Sequence, residues 1–300
     1  MTELIKAVTP ARGRAWLSQG LGWVSGYVVR RDDVLAATTP SALFAELGLG
    51  FPESPFTPDA PHIDTLRIPA ASYLALQSPG TRDVVPPFRD HPPTSGTGFV
   101  ESASAMVPYW WLAPSALPAG TSLWRTYADG REEILAGYAN VAEGWVSVRP
   151  DFGLPAVPVR SPELVGIWAE VAGERMLADV LPDGQVIVCS PQQREDMQQS
   201  ARGVWWRHAV AEEVERIFAV RVVGRWRNRR VQLVGAERGE SGDRAHIVFL
   251  GHDAIDAESL GLTKSDAGVY EGVVAAAEVA DLNEEQTEVS APRDAAGIGG

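Results

Sequence analysis

The sequence predicts a mainly β protein, with an α+β portion at the N-terminus and two consecutive small β units at the C-terminus. Short segments rich in β-branched and aromatic residues alternate with turn residues over most of the 300 positions. Prolines concentrate in one region, since 13 of the 22 lie between positions 52 and 118. Residues 160–283 contain an internal repeat, which indicates two copies of one structural unit.

The first 150 residues are expected to form an α+β domain. The segment WVSGYVVRRDDV (23–34) is typical of a strand, and TPSALFAELGLG (39–50) is typical of a short helix. Thr39 is a suitable N-cap, and Pro40 suits the first helical position because proline has no amide hydrogen to satisfy there. Apolar side chains in this helix would then face the core.

Residues 52–118 form a proline-rich, irregular region within that domain. Its segments FPESPFTPDAP and VVPPFRDHPPTSGTG cannot lie inside a helix or a central strand, because proline cannot donate the required hydrogen bonds. Short strands are expected at 63–69 and 109–114. A long connecting region of this kind is often functional, as a lid or a linker.

The segment TSLWRTYADGREEILAGY predicts a β-hairpin whose turn contains Asp129 and Gly130. EGWVSV follows as a further strand, and a proline-marked joint at 149–162 ends the domain. Glu132 and Glu133 are adjacent on a strand, so their side chains would face opposite sides. We interpret them as a solvated edge rather than as a pair of catalytic carboxylates.

A repeat with a constant offset of 65 residues organises the C-terminal part of the chain. GVWWRHAVAEEVERI (203–217) aligns with GVYEGVVAAAEVADL (268–282), and each is preceded by Gly-x-Trp, a polar stretch and an apolar strand. The repeat predicts β units at 160–218 and 219–283. The acidic residues 284–300 are expected to form a disordered tail.

Each unit resembles an SH3-like small β-barrel, in which an aromatic strand, a short helical turn and a final strand close the barrel. This resemblance implies a fold and no particular partner. Trp205 aligns with another aromatic residue, Tyr270, which predicts a core position. Trp206 aligns with Glu271, so we predict an outward-facing aromatic residue that could contact a partner.

The arginine-rich segment GRWRNRR (224–230) could bind phosphate or single-stranded nucleic acid. However, Trp226 aligns with Trp168 of the first unit, which assigns the tryptophan to the β unit and the arginines to a solvated strand and turn. We select as candidate partner contacts Trp110, Trp111, Trp206, Arg227 and Arg229.

No strong catalytic, cofactor or metal-binding motif is evident. The glycine pairs do not form a phosphate-binding loop, and no nucleophile motif occurs. The only cysteine, Cys189, lies in a segment typical of a buried strand. His252 and Asp253 are expected in a loop or a helix cap rather than as an oriented base. The histidines are too dispersed for a metal site: His62, His91, His208, His246 and His252.

The net charge of −13 disfavours a dedicated nucleic-acid-binding protein, because that affinity depends on neutralising phosphates. An acidic surface suits solubility or a basic protein partner. The N-terminus has no apolar leader, and no window reaches roughly 18 uninterrupted apolar residues. We therefore expect a cytoplasmic protein that does not contact a membrane.

The phrases RIPAASY, SGTGF and LPAGTSLWR in the N-terminal half resemble those of ADP-ribosyltransferase-type toxin domains. Such domains arrange an arginine, a serine or threonine and a glutamate around a dinucleotide. The resemblance implies those roles for Arg67, Ser95 and Glu143. An enzyme of this class is therefore one alternative for the function.

A wider resemblance rests on the order GYVVRRDDV, TPSALFAELGL, IDTLRIP, HPPTSGTGF and YWWLAPSALPAGTSLWR, followed by the two Trp-led units. This order is similar to uncharacterised actinobacterial proteins associated with polymorphic toxin–immunity loci. It implies a non-catalytic protein that binds a toxin and occludes its active site. A structural or scaffold protein is the third alternative.

Overall fold

The computed structural model describes residues 3–51, 53–77, 99–101, 106–148, 153–240, 242–251 and 253–290. Over these residues the chain is mainly β and forms two antiparallel sheets. The strands of the first sheet are β1 (Glu3–Ala7), β2 (Trp23–Arg30), β3 (His62–Pro69), β4 (Leu76–Gln77), β5 (Phe99–Glu101), β6 (Met106–Ala116), β7 (Ser122–Tyr127), β8 (Glu132–Asn140) and β9 (Gly144–Ser147).

The first sheet has the strand order β4-β6-β2-β1-β3-β7-β8-β9, with β5 also paired to β6. The hairpin predicted around Asp129 and Gly130 is confirmed as the β7–β8 connection, where Gly130 has a φ of 83°. The predicted strand at 23–34 is shorter than expected. It ends at Arg30 and continues as a 3₁₀ turn, Arg31–Val34.

Two helices, α1 (Pro10–Gln19) and α2 (Pro40–Glu46), accompany this sheet. Both begin with the same device: a threonine N-cap followed by proline at the first helical position. The Thr39 side chain accepts a hydrogen bond from the Ala42 N–H, as predicted for α2. The sequence did not predict α1, which ends at Gly20 in a left-handed conformation.

The second sheet contains one further helix, α3 (Ala254–Ser259), whose N-cap is Asp253. Its strands are β10 (Val165–Val171), β11 (Glu174–Val180), β12 (Val186–Ser190), β13 (Gln198–Gln199), β14 (Trp205–His208), β15 (Val214–Trp226), β16 (Arg229–Glu237), β17 (Arg244–Phe249), β18 (Thr263–Asp266), β19 (Val269–Ala275) and β20 (Ala280–Glu288). Their order is β13-β14-β12-β11-β10-β15-β16-β17-β19-β18, with β20 also paired to β15.

The two repeated segments pair their strands in the same order. In the first, β10 pairs with β11, β11 with β12 and β12 with β14, and a 3₁₀ turn (Ala211–Glu213) leads into β15, which returns to β10. In the second, the end of β15 pairs with β16, β16 with β17 and β17 with β19. A matching 3₁₀ turn (Ala276–Glu278) leads into β20, which returns to β15.

The second sheet is continuous, and no closed barrel forms in the part of the chain that the structure describes. The reason is the 13-residue strand β15, which closes the first segment against β10 and then opens the second against β16. The boundary predicted between units at 218 and 219 therefore falls inside one strand.

The prediction of a disordered tail from residue 284 is wrong for residues 284–288. These residues belong to β20, which pairs with β15 from Phe218 to Arg225. Two ion pairs stabilise this pairing: Arg216 Nε lies 2.5 Å from Glu288 Oε1, and Arg221 Nη2 lies 2.6 Å from Glu285 Oε2. Residues 291–300 lie outside the described residues.

The two sheets pack against each other and share a core. One cluster of buried side chains joins Leu4, Val24 and Leu66 of the first sheet to Ile167 and Val188 of the second. Trp111 was predicted as a partner contact, and this is wrong in that its side chain is fully buried. Its indole N–H donates to the Gly268 carbonyl at 2.9 Å across the junction between the sheets.

Candidate functional site

Two clefts open where the N-terminal half meets the second sheet. The Arg12 cleft, of about 830 Å³, lies against the second repeat and is named after its most buried arginine. The Trp206 cleft, of about 550 Å³, lies against the first repeat. The turn Gly20–Gly22, between α1 and β2, borders both clefts. Junctions between structural units are common positions for binding sites.

Four aromatic side chains contribute to the walls of the Trp206 cleft. The aromatic residues come from elements of both halves of the chain, and strand β9 and the segments 154–157 and 198–202 also contribute to the lining. The aromatic residues are Trp16 of α1, Tyr138 of β8, Trp145 of β9 and Trp206 of β14.

Trp206 lies half-buried between the cleft and a small apolar cluster. It pairs with Cys189 on one side and with Gln198 on the other, and its ring packs against the cluster that includes Ile187. The ring meets His208 edge-on, with 5.6 Å between centroids. Trp205 was predicted in the core and is half-buried against the main core cluster instead.

Arg202 fixes the backbone at the base of the Trp206 cleft. Its guanidinium donates to the Val157 carbonyl at 2.5 Å and to the Val141 carbonyl at 2.7 Å. These bonds tie the β8–β9 turn to the segment that connects the two halves. The walls of the cleft are therefore held in place by hydrogen bonds as well as by packing.

A group of buried ionisable side chains underlies this cleft. Asp179 accepts hydrogen bonds from the backbone N–H groups of Val180 at 3.0 Å and Val141 at 3.1 Å. Burial raises the pKa of Asp179 to about 8, despite these two donors. Burial, reinforced by the charge of Asp179, raises the pKa of Cys189 to about 12 and raises that of Tyr138. Cys189 is thus a buried, unreactive thiol, as predicted.

In the Arg12 cleft, a polar cluster links α1 to strands of the second repeat. Nη2 of Arg12 donates to the Ser265 hydroxyl at 2.6 Å and to Glu271 at 2.7 Å. The other carboxylate oxygen of Glu271 lies 2.9 Å from Nε2 of His246. The Arg12 guanidinium also stacks over the Trp23 ring, 4.8 Å from its centroid.

The charge state of Glu271 follows from these contacts. Burial alone would raise the pKa of Glu271, but the hydrogen bond to His246, the charge of Arg12 and the Ser265 hydroxyl outweigh it. Together they lower the pKa of Glu271 to about 2. The carboxylate is therefore ionised, and its contact with Arg12 fastens α1 to the second repeat.

The two clefts occupy the same position on the two repeats. Gln198 lies opposite Trp206 in the β13–β14 ladder, and Thr263 lies opposite Glu271 in the β18–β19 ladder. The offset of 65 residues therefore holds in the strand pairing. In the second repeat, Glu271 on this surface binds Arg12 of α1. In the first repeat the corresponding residue is Trp206, and no described side chain of α1 makes a polar contact with Trp206.

The structure does not bring the other predicted partner contacts to the Trp206 cleft. Trp110 is half-buried on β6, with the Arg30 guanidinium 5.5 Å from its ring centroid. Arg227 stacks on Trp226 within the second repeat, at 4.4 Å. Arg229 forms an ion pair with Asp256 of α3 at 2.6 Å. Both arginines therefore have partners within the chain.

The residues proposed for an ADP-ribosyltransferase site do not share a cleft in the described residues. Arg67 is buried, forms an ion pair with Glu132 at 2.5 Å and stacks on Trp124 at 3.7 Å. Glu143 lies in the Trp206 cleft, which Arg67 does not line. Ser95 and His252 lie outside the described residues.

Sequence reasoning missed Arg12, Glu271 and Arg202 as site residues. Arg12 and Glu271 are 259 positions apart, so local patterns contain no signal for their contact. The repeat alignment did assign Glu271 and Trp206 to the same position of the two copies. That correspondence is the one sequence signal that pointed to these surfaces.

Comparison of the chain with protein-family models, with curated proteins and with solved structures finds no significant match. Across the described ranges, no cluster of three or more histidine, cysteine, aspartate or glutamate side chains is arranged to hold a metal ion. No helix in that part of the chain is long and apolar enough to cross a membrane.

Proposed function

We propose that this protein is a non-catalytic binding protein that receives a protein partner in the Trp206 cleft. The proposal includes the immunity role expected from the sequence, in which the partner is a toxin whose active site the bound protein occludes. The SH3-like character of the two repeats also belongs to this proposal. Their shared pairing order, with a 3₁₀ turn before the last strand, supports it.

One observation carries the proposal: the same surface exists twice, and among the described residues α1 makes polar contacts with it only in the second repeat. In the second repeat, Arg12 of α1 binds to Ser265 and Glu271, so this surface serves as a docking face within the chain. In the first repeat the equivalent surface carries Trp206 and borders a cleft of about 550 Å³. A segment from another protein would make at the first repeat the docking contacts that α1 makes at the second.

The composition of the cleft agrees with a protein partner. Tryptophan and tyrosine are enriched in the central contacts of protein interfaces, where they bury large areas at small entropic cost. Two half-buried tryptophans, Trp145 and Trp206, line this cleft in front of the buried aromatic residues Trp16 and Tyr138. The net charge of −13 would accelerate association with a basic protein and disfavour an acidic one.

The test is capture of a partner from an extract of the native cells by the tagged full chain and by two variants. Trp206→Ala removes an aromatic side chain from the cleft. Trp110→Ala is the matched control, because Trp110 is also half-buried but lines neither cleft. Thermal unfolding followed by circular dichroism would verify that both variants fold.

We expect one stoichiometric partner that Trp206→Ala loses and Trp110→Ala retains. The purified partner should bind the wild type at least tenfold more tightly than Trp206→Ala in calorimetry. If it is an enzyme, wild-type protein should inhibit it. Absence of a stoichiometric partner, or equal binding by wild type and Trp206→Ala, would show that the proposal is wrong.

A further inference from the structure

We propose that the segment bound in the Trp206 cleft is an extended, basic stretch of the partner that adds to the first sheet as a new strand beside β9. This inference rests on the proposed function, since it specifies how the same cleft is occupied. Strand addition combines main-chain hydrogen bonds to a sheet edge with side-chain pockets on either face.

Strand β9 is an edge of the first sheet, because its only strand partner in the described residues is β8. The Val148 N–H donates to the Leu135 carbonyl, so the backbone groups of Val148 point towards β8. Backbone groups alternate in direction along an antiparallel strand, so those of Trp145 point away from β8. On β8, the Tyr138 carbonyl accepts from the Gly120 N–H, and the Tyr138 N–H donates to the Thr121 carbonyl. The backbone groups of Tyr138, which lies opposite Trp145, therefore point away from β9.

The β9 edge lacks the charged residues that the edge strands β20 and β18 carry. Sheet edges are normally blocked by charged residues, prolines or covering segments, because an unblocked edge pairs with other chains. The edge strand β20 carries Asp281 and three glutamates, and β18 carries Lys264 and Asp266. Strand β9 has the uncharged sequence Gly-Trp-Val-Ser, although 22% of the whole chain is charged.

Exposed apolar side chains lie on the solvent face of this same edge. Val146 is 49% exposed, and Val148, immediately after the strand, is 57% exposed. They are two positions apart and therefore lie on one face. Trp145, on the opposite face, packs edge-on against Tyr138 with 5.8 Å between ring centroids. An added strand would find apolar contacts on both faces of β9.

The second sheet contributes another edge to the same cleft. Gln198 and Gln199 form the short strand β13, which pairs only with β14 in the described part of the chain. Both glutamines are exposed and line the cleft together with β9. Their side-chain amides can donate to and accept from an extended backbone that lies between the two edges.

Charge selects the kind of segment that fits. A second copy of this chain would carry the same charge of −13 and would be repelled, whereas a basic segment would be attracted. Within the cleft, the Glu143 side chain is exposed. The Arg202 guanidinium, in contrast, already donates hydrogen bonds to the Val157 and Val141 carbonyls. The cleft therefore offers an acidic group, and no uncommitted basic group, to an incoming chain.

The probe for this inference is a capped octapeptide of alternating valine and arginine, together with the same peptide methylated on every second backbone nitrogen. Methylation removes the main-chain donors on one edge and leaves the charge unchanged. Binding to the ¹⁵N-labelled full chain would be followed by NMR. We expect saturable shifts of the amides of residues 144–148 and 198–199, and at least tenfold weaker binding of the methylated peptide.

Two matched variants test the position. Val146→Lys places a charge on the β9 edge and should weaken the unmodified peptide at least fivefold. Val273→Lys makes the same change at an exposed position of β19, which has strand partners on both sides, and should alter binding less than twofold.

Strand addition is overturned if the peptide does not bind at millimolar concentration, if the methylated peptide binds equally well, or if the shifts lie away from β9. These outcomes leave the protein-binding function intact where a native partner still depends on Trp206. Conversely, a native partner that binds Trp206→Ala as tightly as the wild type would show that the proposed function is wrong, regardless of the peptide result.

Discussion

Lys6 and Asp266 form a buried ion pair between the two sheets, with Nζ and Oδ2 3.0 Å apart. Their side chains are only 3% and 2% exposed. Lys6 lies on β1 and Asp266 at the end of β18, so the pair joins the N-terminal half to the second repeat. Oδ2 of Asp266 makes the ionic contact without accepting a well-aligned hydrogen bond, and the pair is therefore held mainly by charge and packing.

Removing one member of this pair should destabilise the protein strongly. Lys6→Met keeps the length of the side chain but leaves the Asp266 carboxylate buried without its countercharge, which costs about 3–5 kcal/mol in comparable cases. The double variant Lys6→Met/Asp266→Leu should recover most of that loss. Denaturant unfolding of the wild type, both single variants and the double variant measures the coupling. A loss below about 1 kcal/mol for Lys6→Met would mean that the pair does not hold the halves together.

Gly26 allows this close approach of the two halves. Its φ of +102° is unfavourable for other residues, and an added Cβ would lie 2.9 Å from both the Ala267 carbonyl oxygen and Nζ of Lys6. Gly26→Ala should therefore lower the free energy of unfolding by about 2 kcal/mol or more. Gly22→Ala is the control, because an added Cβ there meets nothing within 4 Å. Equal effects of the two changes in denaturant unfolding would contradict this account.

The sequence predicted those features of the fold that have a local cause. The Thr39 cap, the Asp129–Gly130 turn and the repeat offset are all encoded within a few residues or by self-similarity, and the structure contains each of them. Of the predicted partner contacts, Trp206 is the one that lines either of the two clefts. The repeat alignment identified it, because an aromatic residue stands there where the second copy has Glu271.

The features that the sequence did not predict depend on distant contacts. Helix α1 buries only Arg12 and Trp16, too few positions to produce an apolar periodicity. The acidic composition of β20 is typical of disorder, but its strand is stabilised by pairing with β15 and by arginines such as Arg221. Composition alone does not reveal a partner strand 55 to 70 positions away.

The buried Asp179 should make stability depend on pH in the neutral range. Burial raises its pKa from 3.8 to about 8, so the folded protein binds this proton more tightly than the unfolded chain does. The stability from this group is present in full below pH 3.8 and is lost as the pH rises towards 8. Charged and titratable groups around it, Tyr73, Tyr138, Cys189 and Arg202, belong to the same buried cluster.

Asp179→Asn isolates this contribution, because asparagine keeps an acceptor for one backbone N–H but does not ionise. The melting temperature of the variant relative to wild type should increase between pH 5 and pH 8 and level off above that. Thermal unfolding at several pH values, at constant ionic strength, measures the difference. A difference that stays constant from pH 5 to pH 9 would show that Asp179 does not titrate in this range.

Glu271 should produce the opposite dependence on the acid side. Its pKa is lowered from 4.5 to about 2, so the ionised form stabilises the folded state above pH 4.5 and this stabilisation is lost as the pH falls towards 2. Glu271→Gln is close in shape but lacks the charge that Arg12 contacts in the native protein. At pH 7 it should lower the free energy of unfolding by about 3 kcal/mol at most, since each pKa unit corresponds to about 1.4 kcal/mol.

The difference between wild type and Glu271→Gln should shrink from pH 5 to pH 2.5, where the native carboxylate begins to protonate. Glu278→Gln is a useful control, because Glu278 accepts a hydrogen bond from the Trp226 indole at 2.9 Å and forms no ion pair in the described residues. If both variants lose the same stability at every pH, the Arg12–Glu271 contact contributes only a hydrogen bond. If only Glu271→Gln follows the acid titration, the charge of that carboxylate is what fastens α1 to the second repeat.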